Sequence, residues 1–299
     1  MTPIHLNEQF GINQHLRFEL EGDGFVMAVL SNKFGSAKVS VYGGQVVSYL
    51  PEGSKEDIFF LSEKNSYSAG KAIRGGIPIC WPWFGDDMSG YGRPSHGFAR
   101  NQHWQVHDSG INDDGGIYLS LLLTDTESSL GVWPYSFNLL LTVSLSDSLG
   151  VALSTTNSGE KPFKFSQALH SYIKVSDISS IVVEGLEGKR YLDKLDGFSE
   201  KIQNETVTVT QETDRIYQDA PKQVLMKDSG HDSNLEITSA GSKTTVIWNP
   251  WQDTISDFPD LEKNDFRDFI CIETANAAKD IITLAAGESH TMAASYKLL

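Results

Sequence analysis

The sequence predicts an all-β protein, a large antiparallel sandwich or barrel. Apolar and polar residues alternate with a period of two from one end of the chain to the other, which is the pattern of half-buried strands. Helical periodicity is scarce, with only short candidates such as residues 255–268. Turn signals separate many short strands over a length of 299 residues, and that spacing is typical of sandwiches and barrels.

The strands can be followed in chain order. Two of them lie in AKVSVYGGQVVSYL near residue 40, and the next are IYLSLLLT from Ile117 and FNLLLTVSLS from Phe137. TVTVTQ from Thr206 alternates in the same way. NLEITSAGSKTTVIW predicts a hairpin turned around Ala240-Gly241, and the last strands are predicted to join at Gly287-Glu288.

The chain carries no sign of a division into parts. No Pro/Ser-rich linker, charge block or internal repeat interrupts it, so we predict a single domain over residues 1–299. The long loop at residues 64–100 is expected at one end of the sheets, where function usually lies.

Composition excludes several classes of function. With 24 Lys+Arg against 39 Asp+Glu, the net charge of -15 argues against nucleic-acid binding. Cys80 and Cys271 are too few for a disulfide framework or a structural zinc site, and they fit a reducing compartment. The start has no secretory pattern and no stretch reaches the roughly 18 to 20 apolar residues of a membrane span. We therefore expect a cytoplasmic protein that does not bind membranes, and the acidic surface favours a monomer.

Two arginines occur in unusual company for so acidic a chain. Arg74 opens IRGGIPICWPWFG and Arg100 closes SHGFAR, both among Gly, Pro and aromatic residues. Arginine in such loops suits bidentate capture of a phosphate or carboxylate. The alternative is that each pairs with a structural carboxylate.

His170 is the first candidate for proton transfer. If FSQALHSYIKVSD is one strand, His170 shares its more polar face with Ala168, Tyr172 and Lys174. A histidine there can exchange a proton near neutral pH. The alternative is a structural histidine with satisfied hydrogen bonds.

Glu273 is the second candidate. In DFICIETAN the alternation places Phe269, Cys271 and Glu273 on one face of a strand that is apolar on both faces. A carboxylate at the end of such a buried strand is desolvated, which raises its pKa and makes it a better base. A buried ion pair with an arginine is the alternative.

Asp214 and the tryptophans are weaker candidates. Asp214 lies beside Arg215 in QETDRIYQD, where a plain surface ion pair is the alternative, and its sequence context gives no sign of a raised pKa. Some tryptophans could stack on the apolar face of a sugar, although most tryptophans belong to cores. The tryptophans considered are Trp81, Trp83, Trp133, Trp248 and Trp251.

Other chemistries lack their motifs. The chain has no Walker loop, no G-x-G-x-x-G after a strand and no G-x-S-x-G elbow, so neither a nucleotide cofactor nor a serine nucleophile is indicated. His103 and His107 would lie about 13 Å apart on a strand, and His96 adds no ligand spacing, so no metal is expected. A cofactor-free site remains, built from a histidine, one or two carboxylates and two arginines, which suits proton transfer on a polyhydroxylated anion.

Taken together, the motifs resemble a known family. The segments occur in the order found in the glucose-6-phosphate 1-epimerases, the hexose-6-phosphate mutarotases of the aldose 1-epimerase (galactose mutarotase-like) superfamily. The resemblance covers residues 35 to 297, nearly the whole chain. The segments are IRGGIPICWPWFG, HGFAR, ALHSYIKVSDI, EGLEGKRYLDK, ETDRIY, WNPW and FICIETAN.

The resemblance implies a large antiparallel β-sandwich and assigns roles to the candidates. His170 matches the acid that protonates the sugar ring oxygen, and Glu273 matches the base that removes the proton of the C1 hydroxyl. Arg74 and Arg100 match substrate-binding arginines, and Asp214 matches a hydroxyl-binding aspartate. The substrate would be a small sugar phosphate, and no metal or nucleotide cofactor is implied.

Two further positions follow from the resemblance. Some relatives carry a substrate-contacting glutamine where this chain has Ser95, whose shorter side chain would reach the sugar through water. His96 lies at a position that contacts sugar in the wider superfamily.

Acid and base must hold opposite protonation states, so both pKa values are expected to move toward neutrality. A glycoside hydrolase is the main enzymatic alternative, since it also needs an acid and a carboxylate. A non-catalytic sugar-binding module and a sensing or scaffolding protein are the others, because a fold alone does not decide function.

Overall fold

The computed structural model describes residues 2–22, 24–65, 67–87 and 92–299. It is dominated by antiparallel strands, as alternation with a period of two requires. In chain order the strands are β1 (Leu16–Glu21), β2 (Phe25–Asn32), β3 (Gly35–Ser40), β4 (Gln45–Pro51), β5 (Ile79–Cys80), β6 (Gln105–Ile111), β7 (Ile117–Thr124), β8 (Phe137–Leu145), β9 (Leu149–Asn157), β10 (Phe163–Phe165), β11 (Gln167–Leu169), β12 (Tyr172–Lys174), β13 (Ile181–Glu184), β14 (Arg190–Asp193), β15 (Ser199–Ile202), β16 (Thr213–Gln218), β17 (Gln223–Asp228), β18 (Ser233–Ala240), β19 (Thr244–Asn249), β20 (Phe269–Asn276), β21 (Ile282–Leu284) and β22 (Ser289–Leu298).

Helices are short and lie between strands. The α-helices are α1 (Pro3–Phe10), α2 (Glu127–Val132) and α3 (Trp251–Thr254), and the single 3-10 turns are Ala99–Asn101, Ile178–Ser180, Lys194–Asp196, Ile255–Asp257, Asp265–Arg267 and Ala278–Asp280. The helical candidate at residues 255–268 is therefore only two separate 3-10 turns. No helix in the described residues is long and apolar enough to cross a membrane.

Two eight-stranded sheets organise the molecule. The site sheet has the order β15-β14-β16-β19-β20-β11-β5, with β12 also paired to β20, and the back sheet has the order β13-β17-β18-β22-β9-β8-β7-β6. The first four strands form their own sheet, and β10 pairs with β21. The largest hydrophobic cluster includes side chains of both large sheets, among them Leu141, Leu153, Ile270 and Ile272. The predicted all-β antiparallel sandwich is confirmed, whereas the single-domain extent stays a prediction.

Several predicted strands are confirmed at their positions. The alternating segment near residue 40 forms the antiparallel pair β3–β4, and Gly44 in its turn has φ +57°. A Cβ on Gly44 would lie 2.7 Å from the ring of Trp104, so the close approach of that ring requires glycine. The strands β7, β8, β20, β21 and β22 also lie where the alternation indicates.

The hairpin predicted around Ala240-Gly241 is wrong. The strand before it, β18, pairs with β17 and β22 in the back sheet, whereas the strand after it, β19, pairs with β16 and β20 in the site sheet. Gly241 has φ +66°, and a Cβ there would lie 2.0 Å from the carbonyl oxygen of Thr291. The turn therefore carries the chain from one sheet to the other, a choice that strand alternation does not encode.

The strand predicted at TVTVTQ is also wrong. In residues 206–211 only Val207 makes a ladder contact, an isolated bridge to Val183. Val207 and Val209 are nevertheless buried in the core. The alternation reflects burial of those two side chains without sheet pairing.

Candidate active site

A cavity of about 630 Å³ lies on the site sheet and collects every site residue predicted from the sequence. A volume of this size is ordinary for a small-molecule site. Its lining comprises Arg74, Phe84, Gly85, Asp86, Ser95, His96, Arg100, Ser166, His170, Tyr172, Leu192, Lys194, Phe198, Asp214, Ile216, Val246, Trp248, Phe258, Glu273, Ala277, Ala278 and Ile281.

Strand register places the floor of the cavity. Glu273 on β20 lies opposite Val246 on β19, which lies opposite Ile216 on β16. Residues directly opposite in antiparallel strands point to the same face. The carboxyl group therefore emerges from an apolar stretch of sheet, and it lies inside β20 and not at its end, as the sequence had indicated.

His170 sits at a break between two strands. The single strand predicted over this segment is interrupted, with β11 ending at Leu169 and β12 beginning at Tyr172. The backbone N–H of His170 donates to the carbonyl of Pro78 (3.0 Å), and that of Ser171 turns back to Leu169 (2.9 Å). This local turn aims the imidazole into the cavity instead of along a regular strand.

Aromatic rings fix the orientation of that imidazole. The ring of Tyr172 stacks on it at 4.9 Å with planes only 12° apart, and Trp248 meets it edge-on at 5.9 Å. His170 is 7% exposed, so few rotamers are open to it.

His170 and Glu273 face each other. The Nε2 atom of the histidine lies 3.5 Å from Oε1 of the glutamate, whose residue is 1% exposed. The other carboxylate oxygen and Nδ1 of the histidine have no hydrogen-bond partner in the described part of the chain. The alternative of a direct ion pair between Glu273 and an arginine is wrong, because no ion pair of that kind occurs among the described residues.

The two groups have opposite pKa shifts. Burial, reinforced by the charge of Asp214, raises the pKa of Glu273 well above its usual value. Burial, followed by the charges of Arg100 and Arg74, lowers the pKa of His170 to about 3. The expected shift toward neutrality therefore holds for Glu273 but is wrong for His170, since buried cations disfavour an imidazolium. The pair shares one proton, which resides on Glu273.

Arg74 is held by groups on distant segments. Its Nε donates to Asp260 (3.0 Å) and its Nη1 donates to the hydroxyl of Tyr172 (2.8 Å), while the guanidinium lies 5.2 Å from the centre of the Phe258 ring. The alternative of pairing with a structural carboxylate is thus confirmed for Arg74, which nevertheless lines the cavity. Its remaining Nη2 is the atom available to a ligand.

Arg100 is less encumbered. Its Nη2 donates to the backbone carbonyl of Ser95 (3.0 Å), and its buried Nε has no hydrogen-bond partner among the described residues. That contact ties the Ser95 backbone to the arginine, while Ser95 also lines the cavity. The structural-carboxylate alternative is not what the described residues show for Arg100.

His96 occupies a strained position at the cavity wall. Its φ of +66° is unfavourable for a residue with a Cβ, and such strain concentrates at functional sites. Its Nδ1 faces the N–H of Gly85 at 3.4 Å and its ring lies 5.5 Å from that of His170. Burial, then the charge of Arg100, lowers the pKa of His96 well below its usual value, so the ring is neutral.

Asp214 pairs with a residue that the sequence did not single out. Its carboxylate lies 2.9 Å from Nζ of Lys194, and not against its neighbour Arg215. Burial raises the pKa of Asp214 against the opposing pull of Lys194, which corrects the view that nothing raises it. Lys194 belongs to EGLEGKRYLDK, so the motif was recognised but the side chain was missed.

Tryptophans divide between core and cavity. Trp81 and Trp133 are buried in the core, whereas Trp248 lines the cavity beside His170. Trp83 and Trp251 pack against the core cluster and line no part of the cavity. Sequence alone gave no signal to separate these groups.

One group of side chains in the described residues has ligand atoms close enough for a metal ion. The atoms belong to His170, Cys271 and Glu273 and lie within 4.8 Å of one another. Two of these residues are the facing pair. Burial raises the pKa of the Cys271 thiol well above its usual value, which opposes the thiolate that a metal would need.

Comparison with known proteins agrees with this geometry. Residues 27–297 match the family model described as aldose 1-epimerase. The chain is 36% identical over 263 residues to a protein from Cenchrus ciliaris named as a candidate glucose-6-phosphate 1-epimerase, covering 84% of this chain and 78% of the relative. A Salmonella typhimurium protein of the same name is 31% identical over 258 residues, covering 85% and 84%.

A solved structure has the same fold. The crystal structure of a candidate mutarotase (YeaD) from Salmonella typhimurium has a TM-score of 0.88 and 27% identity, covering 97% of this chain and 95% of that one. The strand order, the facing histidine and glutamate, and these likenesses agree, and the chain belongs to the aldose 1-epimerase family.

Proposed function

We propose that this protein is a hexose-6-phosphate mutarotase that interconverts the α and β anomers of glucose 6-phosphate. The observation that carries the proposal is the contact between His170 and Glu273, 3.5 Å apart, in a cavity also lined by Arg74, Arg100 and Lys194. A proton donor and acceptor are what opening a pyranose ring needs, and the cations suit a phosphate ester. Relatives named as candidate glucose-6-phosphate 1-epimerases support the substrate.

The chemistry follows from one proton moving between the pair. Glu273 as carboxylate takes the proton of the C1 hydroxyl while Nε2–H of His170 donates to the ring oxygen, and the C1–O5 bond breaks to give the open-chain aldehyde. Rotation about C1–C2 presents the other face of the carbonyl, and the reverse transfers close the ring. Because the proton resides on Glu273 in the empty cavity, it must first pass to His170 across their contact.

The remaining lining residues would position the sugar. Arg74, Arg100 and Lys194 bind the phosphate, which fixes the ring relative to the acid and base. Asp214 and His96 contact hydroxyl groups, with Ser95 reaching the sugar through water. Trp248 offers its face to the apolar side of the ring.

Anomer exchange measured by NMR tests the function. With enzyme, the exchange rate between α and β glucose 6-phosphate should rise above the spontaneous rate, and more than the rate for glucose rises. Acceleration of glucose alone would keep the reaction and remove the phosphate site. A folded sample that accelerates neither sugar would contradict the proposal and favour a sugar-binding module.

Tyr172 offers a test of how Arg74 is held. Tyr172→Phe removes the hydroxyl that accepts from Arg74 but keeps the ring stacked on His170. Because a hydrogen bond to a charged group contributes about 1.5–3 kcal/mol, we expect KM for glucose 6-phosphate to rise about tenfold with a much smaller change in kcat. Tyr172→Leu, which also loses the stack, should lower kcat as well. Equal loss of kcat in both variants would contradict this division of roles.

The proposed setting is the cytoplasm, with a monomer acting on a small-molecule substrate and needing no metal or nucleotide. Two free, buried cysteines support a reducing compartment. The net charge of -15 supports the absence of nucleic-acid partners.

A further inference from the structure

The cations of the cavity are unequally neutralised. Arg74 and Lys194 each pair with a carboxylate, Asp260 and Asp214. Arg100 contacts the carbonyl of Ser95, and its buried Nε has no hydrogen-bond partner among the described residues. An uncompensated guanidinium with a donor facing no acceptor is a site that a divalent oxyanion would complete.

Those cations lie close to the proton-transfer pair. Arg74 donates to the Tyr172 hydroxyl at 2.8 Å, and the Tyr172 ring stacks on His170 at 4.9 Å, so one side chain separates guanidinium from imidazole. Arg100 and Lys194 line the same cavity. In a buried site a charge acts on its neighbours several times more strongly than in water, so these cations oppose a positive charge on His170.

Other groups around the pair do not offset that effect. His96 is neutral, the thiols of Cys80 and Cys271 keep their protons because burial raises their pKa values, and the Asp214 carboxylate is paired with Lys194. The titratable and charged groups that face the pair are Arg74, Cys80, Asp86, His96, Arg100, Tyr172, Lys194, Asp214 and Cys271. The arginines are thus the main obstacle to an imidazolium beside a carboxylate.

We propose that an oxyanion bound by Arg74 and Arg100 activates the acid/base pair and does not only anchor the sugar, so that the protein has an anion-dependent 1-epimerase activity on aldoses that carry no phosphate. Neutralising the arginines lets the proton of Glu273 move to Nε2 of His170. The transfer is internal to the pair, so no proton is gained or lost. This inference rests on the proposed acid and base, and it extends the substrates to free sugars plus a separate anion.

The test supplies the anion and the sugar as two pieces. D-xylose has a free C1 hydroxyl but no sixth carbon, so the cavity keeps room for sodium phosphite beside it. Anomer exchange of xylose is measured by NMR at fixed pH and ionic strength, with and without phosphite, and the rate without enzyme is subtracted at each concentration. We expect the enzyme-dependent rate to rise saturably by about tenfold or more, the effect of a one-unit change in the proton balance of the pair.

Variants identify the arginines as the cause. Arg100→Gln should raise the xylose rate without anion and reduce the activation by phosphite, because it removes the charge that opposes His170. A purely anchoring arginine would leave the anion-free rate unchanged. Arg190→Gln is the matched control, since Arg190 is exposed, pairs with Glu200 and lies outside the cavity. It should keep the wild-type activation ratio.

The outcomes separate this inference from the proposed function. Accelerated exchange of glucose 6-phosphate with no activation of xylose, or with inhibition of xylose by phosphite, would overturn the inference and leave the function standing. Equal activation in wild type and Arg100→Gln would also overturn it. Acceleration of neither glucose 6-phosphate nor xylose would remove the acid/base proposal itself.

Discussion

Replacing Glu273 with Gln is expected to lower anomer exchange of glucose 6-phosphate by about 10²–10⁴-fold, the usual contribution of a general acid or base. The amide keeps the size of the side chain and its place on β20 but cannot accept the C1 proton. His170→Asn should cause a loss of the same order because it removes the partner acid. The two losses should not add in the double variant, since the pair acts as a unit.

Stability provides the control for this prediction. A carboxyl group whose pKa is raised on folding stabilises the native state below its unfolded pKa, and that contribution is lost as the pH rises through the folded value. Glutamine resembles the protonated form at every pH. The unfolding temperature of Glu273→Gln minus that of wild type should therefore increase as the pH rises from about 5 to 8. Substantial turnover in the folded variant would refute the role of Glu273, and a falling difference would refute its raised pKa.

The second large effect is expected at the arginines. Arg100→Ala should lower kcat/KM for glucose 6-phosphate by about 10- to 150-fold, which corresponds to the 1.5–3 kcal/mol of a hydrogen bond to a charged group. Free glucose should not lose activity, because it has no phosphate to bind. Arg74→Ala should have the same selectivity and, in addition, leave Asp260 and the Tyr172 hydroxyl without their partner.

Matched variants separate charge from geometry at these positions. Arg74→Lys keeps the charge but cannot donate to Asp260 and Tyr172 in the same plane. It should retain binding of the phosphate better than Arg74→Ala while remaining weaker than wild type. Equal losses on glucose 6-phosphate and glucose in either alanine variant would take the arginines out of the phosphate site.

Alternatives to a mutarotase make different demands on the same cavity. A hydrolase would use Asp214 as a second free carboxyl, but Asp214 is held at 2.9 Å by Lys194. A binding module would have no use for a glutamate buried against a histidine, an arrangement that is costly to desolvate. The family membership favours an epimerase, and the substrate remains the proposal that the exchange measurement tests.

The sequence by itself determined the fold class and the composition of the site. Alternation is a local property, because each strand residue faces the side opposite its neighbour whatever it pairs with. For that reason β3, β4, β7, β8 and β20 could be located from the chain alone. Motif order also selected residues from separate segments, and all of them line one cavity.

Tertiary structure decided what local patterns cannot contain. Partners are long-range contacts, so neither the crossing of the chain between sheets at Gly241 nor the pairing of Arg74 with Asp260, 186 residues away, could be read in advance. Charge states are decided in the same way. Desolvation and neighbouring cations arise only once the chain is packed, and they place the shared proton on Glu273 and leave His170 neutral.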